Sequence, residues 1–333
     1  VNLIRRRIRD PALRFEALQV GRRSKTDVLV AYIADIANPS LVQEVKDRIE
    51  KIDRDAIPMG GKNLEEYLLG TAINPLPVTR YTERPDVASA HLLEGHLVIL
   101  VDTTPFALIV PVTVWHFTQH AEEYFQNPPV GTYLRWVRTL GILVSLVLIP
   151  LWYQLAMTPN LPSWLQLIGP RDPGRIALWL QFLLLELGLD LIRMALIHTP
   201  DALATSLGLV GATLLGELAV SVGLFTGEAI LYTAIVAICS FATPSIEFAY
   251  AIRLFRYLLF FGAVLFGWAG LGTSFLLVVL IFGLTTSFQV PYLWPLIPFD
   301  GAALLRVALR YPIPQVAVRP RFTKPQDLKA RSE

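Results

Sequence analysis

Three charged residues sit in an otherwise apolar run from Leu178 to Ile197: Glu186, Asp190 and Arg193. At about 100° per residue they fall within roughly 60° of one another on a helix. Charge inside a bilayer is costly, and where it occurs it faces a protein interior or a water path. A further carboxylate, Glu217, lies in the next apolar run. Carboxylates so placed can line a cation path, as acidic rings do in cation channels. The same residues also allow a structural reading. Asp190 and Arg193 at i, i+3 can pair within the helix, and Glu186 can bond to another subunit.

The other chemistry-bearing residues form no set. His91, His96, His116 and His120 invite a metal reading, and His116 and His120 at i, i+4 can share one helix face. No HExxH and no matching carboxylate or thiol cluster accompanies them, so they read as surface or interfacial histidines and no metal is expected. Asp102 reads as a turn residue capping its own backbone. Gly60-Gly61-Lys62 lacks the spacing of a phosphate loop. Cys239, the one cysteine, lies in an apolar run, which leaves no disulfide framework and no thiolate metal site. Without a nucleophile, metal set or cofactor loop, neither an enzyme nor a cofactor is expected.

The elements that must carry these residues fall into two parts. The 333 residues are 53% hydrophobic and 17% charged, with a mean hydropathy of +0.50, which is too apolar for an ordinary soluble domain. The excess lies after Tyr133. Residues 1–133 read as a soluble domain of α/β or α+β type. A basic helix or arm is expected over Ile4–Gln19 and a buried strand over Val28–Ile36. Asn38-Pro39 starts a helix running to about Asp53. Another helix runs from Pro85 to Glu94, with Gly95 where a left-handed cap is wanted. A hairpin is expected from His96–Val101 and Phe106–Val112.

Residues 134–300 read as an all-α membrane domain of four to six transmembrane helices. Apolar runs cover Thr139–Met157, Ile176–Ile197, Ala204–Phe225, Glu228–Phe241, Tyr257–Leu271 and Thr273–Phe288. The third is rich in small residues, Gly208, Gly211, Ala212, Gly216 and Ala219, which allow close helix packing. The last two are separated at Gly270–Gly272, and a re-entrant hairpin is an alternative to two crossings. The charged run can equally lie in the interface plane. Arg135 with Arg138, and Arg253 with Arg256, read as basic edges. Residues 301–333 form a basic tail, and six crossings put both termini on the same positive side. Nucleic-acid binding is the less favoured reading of these basic clusters. No repeated halves are visible, which counts against a transporter built on repeats. The chain starts at Val1 within helix-like sequence, as expected of a piece of a longer protein.

Several stretches carry a resemblance. Gly21 to Thr26 reads GRRSKT, Thr82 to Asp86 reads TERPD, Leu92 to Pro111 reads LLEGHLVILVDTTPFALIVP and Ala121 to Tyr124 reads AEEY. Leu185 to Pro200 reads LELGLDLIRMALIHTP, Phe241 to Arg256 reads FATPSIEFAYAIRLFR and Val290 to Asp300 reads VPYLWPLIPFD, and the tail has Pro325-Gln326-Asp327. Together these resemble the A-subunit type of the GerA family of spore germination proteins, over essentially the whole chain. The resemblance implies an integral protein of the inner spore membrane of an endospore-forming bacterium, with both termini on the core side. It implies a role in germination, when the spore releases monovalent cations. It implies a homo-oligomer forming an ion channel, with other germination membrane proteins as partners. It also implies a further soluble subdomain upstream of Val1. No catalytic residues carry over. The reading of Glu186, Asp190 and Glu217 as a pore lining, with Arg193 holding their geometry, rests on the physical argument alone. The rival is a scaffold or signalling subunit without a pore.

Overall fold

The computed structural model describes residues 1–70, 73–159, 174–197 and 221–330. They form two compact units: Val1–Trp136 together with Leu280–Glu333, and Val137–Val279.

The first unit is built on a five-stranded, wholly antiparallel sheet of order β1-β2-β4-β5-β3. Its strands are β1 (Leu13–Val20), β2 (Thr26–Ile33), β3 (Arg80–Thr82), β4 (Leu97–Val101) and β5 (Ala107–Val110). Both faces are covered by helices. Val28, Val30, Leu97, Ile99 and Val101 point to one face, where α2 (Pro39–Glu50) supplies Leu41, Val45 and Ile49 and α3 (Gly61–Leu69) supplies Leu64 and Leu68. Ala31, Ile33, Val98 and Ile109 point to the other face, against Ile4 of α1 (Asn2–Arg7) and Ala88 and Leu92 of α4 (Pro85–Leu93). That two-sided burial is why β2 and β4 read as unbroken apolar runs rather than alternating ones. α2 begins where the sequence places it: the Asn38 side chain accepts the Ser40 N–H and Pro39 stands in the first turn.

The basic helix expected over Ile4–Gln19 ends at Arg7, and Leu13–Val20 is a strand instead. The reason is a period of two. Leu13 and Phe15 pack on one core and Leu18 and Val20 on the other. Tertiary pairing with β2 along all eight residues then overrides local helix preference.

The C-terminal tail closes on the same unit. The Gln326 side-chain amide donates to the carbonyls of Ala34 and Ala37, at 2.8 and 2.7 Å, and so satisfies the turn between β2 and α2. Arg319 donates to the Leu93 carbonyl and pairs with Asp327.

The second unit is helical. It holds most of α6 (Pro128–Met157), α7 (Leu178–Ile197), α8 (Gly227–Phe241) and most of α9 (Ile246–Leu284). Among the described residues, α6 and α9 are long and apolar enough to cross a bilayer, and α8 is a shorter apolar helix. The expectation of four to six crossings also draws on residues 204–225, which lie mostly outside the described residues. α9 breaks at Gly267 (φ 62°, ψ −142°), three residues before the break expected at Gly270–Gly272. A Cβ at Gly262 or Gly270 would collide with the backbone of the other. Eight residues of straight helix would hold those two about 12 Å apart. The chain therefore turns back at Gly267, and the small residues at Gly262 and Gly270 permit the close approach. L-residues avoid the Gly267 conformation, so Gly267→Ala should destabilise the helical unit by about 1–3 kcal/mol, read by thermal unfolding in detergent. An unchanged unfolding temperature would show that the turn is not held there.

Candidate functional site

The charged residues of α7 do not pair among themselves. Glu186 accepts from the Arg256 guanidinium at 2.6 Å, and Asp190 forms an ion pair with Arg253. Arg256 also donates to the Ser145 carbonyl of α6 at 2.7 Å, and Tyr257 donates to Asp190 at 3.4 Å. The order of partners reverses, 186 with 256 and 190 with 253, so α7 and the first half of α9 run antiparallel here. Glu186 is 4% exposed and Arg256 2% exposed, and isolated charge so buried would be prohibitively costly. A small, apolar-lined cavity of about 10 Å³ adjoins the pair, between Ile149, Phe182, Phe260 and Tyr257, close to the minimum that admits one water. Glu186 Oε1 and Arg256 Nε are buried without a hydrogen-bond partner among the described protein atoms.

Three sequence expectations change. Arg253 and Arg256, expected at a basic membrane edge, are buried counter-ions. Arg193, expected to hold the carboxylates, instead lies over the rings of Phe241 (4.5 Å) and Tyr250 (5.5 Å), a cation–π arrangement. Asp190 takes Arg253 rather than its own-helix neighbour. Glu217 and the small residues Gly208, Gly211, Ala212, Gly216 and Ala219 lie outside the described residues. The arginine partners were visible in principle: Arg253 and Arg256 at i, i+3 match the i, i+4 spacing of Glu186 and Asp190, with one opposite charge for each.

Arg135, expected at a cytoplasmic edge, is 3% exposed. It donates to Glu123 at 2.9 Å and to the Val307 carbonyl at 2.7 Å near the end of α10 (Gly301–Ala308). Glu123 is held in turn by the His120 N–H at 3.2 Å.

Three of the histidines, expected to be surface or interfacial, form a second cluster. His96, at the start of β4, is 0% exposed. His91 of α4 and His116 of α5 (Trp115–Thr118) pack on it with ring centroids 4.9 and 5.2 Å away, half-buried. His120 is not part of the cluster; it caps the short 3-10 turn Ala121–Phe125, so the i, i+4 pairing with His116 does not form. Burial drives the His91 imidazole down to about 3, with Arg80 nearby adding to the effect. Burial likewise holds His96 and His116 well below the ordinary histidine range, so all three rings are neutral at pH 7. Sequence reasoning missed the grouping because the three residues come from a helix, a strand and a later helix, and no spacing rule links them.

With this geometry in place, the chain can be set beside known proteins. The model of the Bacillus/Clostridium GerA spore germination protein matches residues 1–322. Stage V sporulation protein AF of Bacillus subtilis (strain 168) is 47% identical over 326 residues, which cover 98% of this chain and 66% of that protein. Spore germination protein KA of Bacillus subtilis (strain 168) is 32% identical, over 94% of this chain and 58% of that protein. The chain thus spans somewhat under two thirds of the length of these relatives. A solved N-terminal domain of the A subunit of the Bacillus megaterium spore germinant receptor GerK3 is 42% identical over 33% of this chain and 86% of that one, with a TM-score of 0.27. The match over nearly the whole chain has one consequence for identity: this protein belongs to the GerA family of spore germination proteins.

Proposed function

We propose that the chain is a non-enzymatic membrane subunit of a germination complex, working as a homo-oligomer that conducts monovalent cations in the inner spore membrane. Its partners would be other germination proteins of that membrane, and its termini would face the spore core. The observation that carries this reading is the pair of arginine-bound carboxylates, Glu186 buried and Asp190 half-buried, in an otherwise apolar helical unit. Charge is retained in such a place chiefly where it serves a path or a switch. In the described conformation each carboxylate is neutralised by arginine, so the cluster acts as a closed latch. Opening would separate α7 from α9 and present Glu186 and Asp190 to cations, with Glu217 adding a third carboxylate. Gly208, Gly211, Ala212, Gly216 and Ala219 would pack the neighbouring helix. The sheet unit would assemble the oligomer and transmit the opening signal.

The same arginine pairing favours a second reading, in which the cluster only locks helices together and the chain is a non-conducting scaffold. Potassium flux from vesicles holding the purified full chain separates the two. Flux that rises when Arg253→Gln and Arg256→Gln free the carboxylates supports conduction. Absence of flux from wild type and variant, with an oligomer confirmed by mass, supports the scaffold.

A further inference from the structure

His91, His96 and His116 take no part in the proposed cation path. Each offers one ring nitrogen, and the three nitrogens lie within 4.8 Å of one another. Three atoms that close all fall within about 2.8 Å of a common point, the centre of an equilateral triangle of that side. Zinc–imidazole bonds are about 2.0–2.1 Å, so each ring needs to shift by less than an ångström to ligate one ion.

The outer hydrogen bonds of His91 and His96 are those of ligating imidazoles. His91 Nδ1 donates to the Val87 carbonyl at 2.8 Å, and His96 Nδ1 donates to the Pro111 carbonyl at 2.7 Å. Each bond fixes the tautomer and leaves Nε2 as a lone-pair donor, the usual second-shell arrangement. His116 Nδ1 accepts from the Thr113 N–H at 3.0 Å and lies 3.0 Å from the Thr113 hydroxyl and 3.2 Å from the Thr113 carbonyl; ligation through Nε2 requires it to donate to the carbonyl instead. The decisive atom is His96 Nε2. It belongs to a fully buried side chain and has no hydrogen-bond partner among the described protein atoms. A buried polar atom left this way calls for a ligand. The Glu94 carboxylate stands 3.9 Å from it, within reach of a shared ion.

We infer that His91, His96 and His116 form a site for one divalent transition-metal ion, zinc being the best match, with Glu94 or water in the fourth position. Three imidazoles with one open position are a common zinc donor set. Arg80 opposes it, since its charge acts on all three rings; Glu94, acting on Arg80 in turn, offsets part of that charge. The ion would fasten α4, β4 and α5 together. It would also fix the tail, because Phe322 packs on His96 and His116 at 5.5 and 5.7 Å and Thr323 donates to the Glu94 carbonyl.

The test uses the full chain in detergent, stripped with chelator and titrated with zinc alone by calorimetry, with metal content read by mass spectrometry. One equivalent per chain is expected. Half-buried His116→Gln, the variant that best keeps the fold, should weaken binding at least tenfold, since even loss of a supporting outer bond costs about 10–100-fold. Arg80→Gln should tighten it. Cobalt substitution should give the intense visible bands of a four-coordinate site in wild type and lose them in His116→Gln. The inference is overturned if folded wild type takes up less than a tenth of an equivalent. It is equally overturned if His116→Gln, folded by circular dichroism, binds zinc as tightly as wild type.

Discussion

Arg256→Leu alone will destabilise the helical unit by about 3–5 kcal/mol, and adding Glu186→Leu will recover most of that loss. The argument starts from burial. Glu186 and Arg256 are almost wholly withdrawn from solvent and meet at 2.6 Å. Removing the arginine leaves a carboxylate with one oxygen already unpartnered in apolar surroundings. It also removes the Arg256 hydrogen bond to the Ser145 carbonyl. Removing both charges exchanges a desolvated pair for apolar packing, which is often neutral or stabilising. Thermal and denaturant unfolding in detergent, run on the two single variants and the double, gives the coupling directly. A double variant as unstable as the single would show that the pair is not the reason these residues are tolerated. The same comparison bears on function. A pair whose removal leaves stability intact but alters flux serves as a switch rather than a brace.

The second large effect is expected at Arg135. This guanidinium bridges Glu123 and the last carbonyls of α10, including Val307. Arg135→Met will cost about 3–5 kcal/mol in the sheet unit, because Glu123, 0% exposed, keeps its charge and loses its counter-ion. Arg135→Lys will recover only part, since one ammonium on a flexible stem cannot reach the Glu123 carboxylate and the α10 carbonyls together. The readout beyond stability is local. Limited proteolysis should cut the chain after α10 faster in Arg135→Met than in wild type. Unchanged cleavage would show that the contacts of Gln326, Arg319, Phe322 and Thr323 hold the tail without Arg135.

Local chemistry made much of the sheet unit legible. Asn38-Pro39 announces α2, Gly95 (φ +90°) ends α4, and the β4–β5 hairpin follows two apolar runs about a turn. Leu13–Val20 has helix-compatible residues, and only pairing with β2 makes it a strand. Gly270–Gly272 is the denser helix-breaking signal in α9, yet the break falls at Gly267. The residue that takes the positive φ is Gly267, while Gly262 and Gly270 serve the close approach. At the charged cluster the carboxylates stood out, since each interrupts an apolar run. Their arginines did not, because a basic residue beside an apolar stretch has two readings, membrane edge or buried partner. Only the tertiary pairing of α7 with α9 decides between them. The histidine cluster was least legible. Its members lie on separate elements, and their convergence depends on how α4, β4 and α5 meet.

The most direct test of the proposed function is single-channel current from the purified chain in planar bilayers, with Glu186→Gln/Asp190→Asn beside it. If these carboxylates serve a cation path, the wild type passes cation-selective current. The double variant, left with Arg253 and Arg256 uncompensated, passes little, while its oligomer mass is unchanged. Cation-selective current of equal size in the two proteins would contradict the assignment of Glu186 and Asp190 to that path. A silent wild-type oligomer would contradict conduction by this chain altogether.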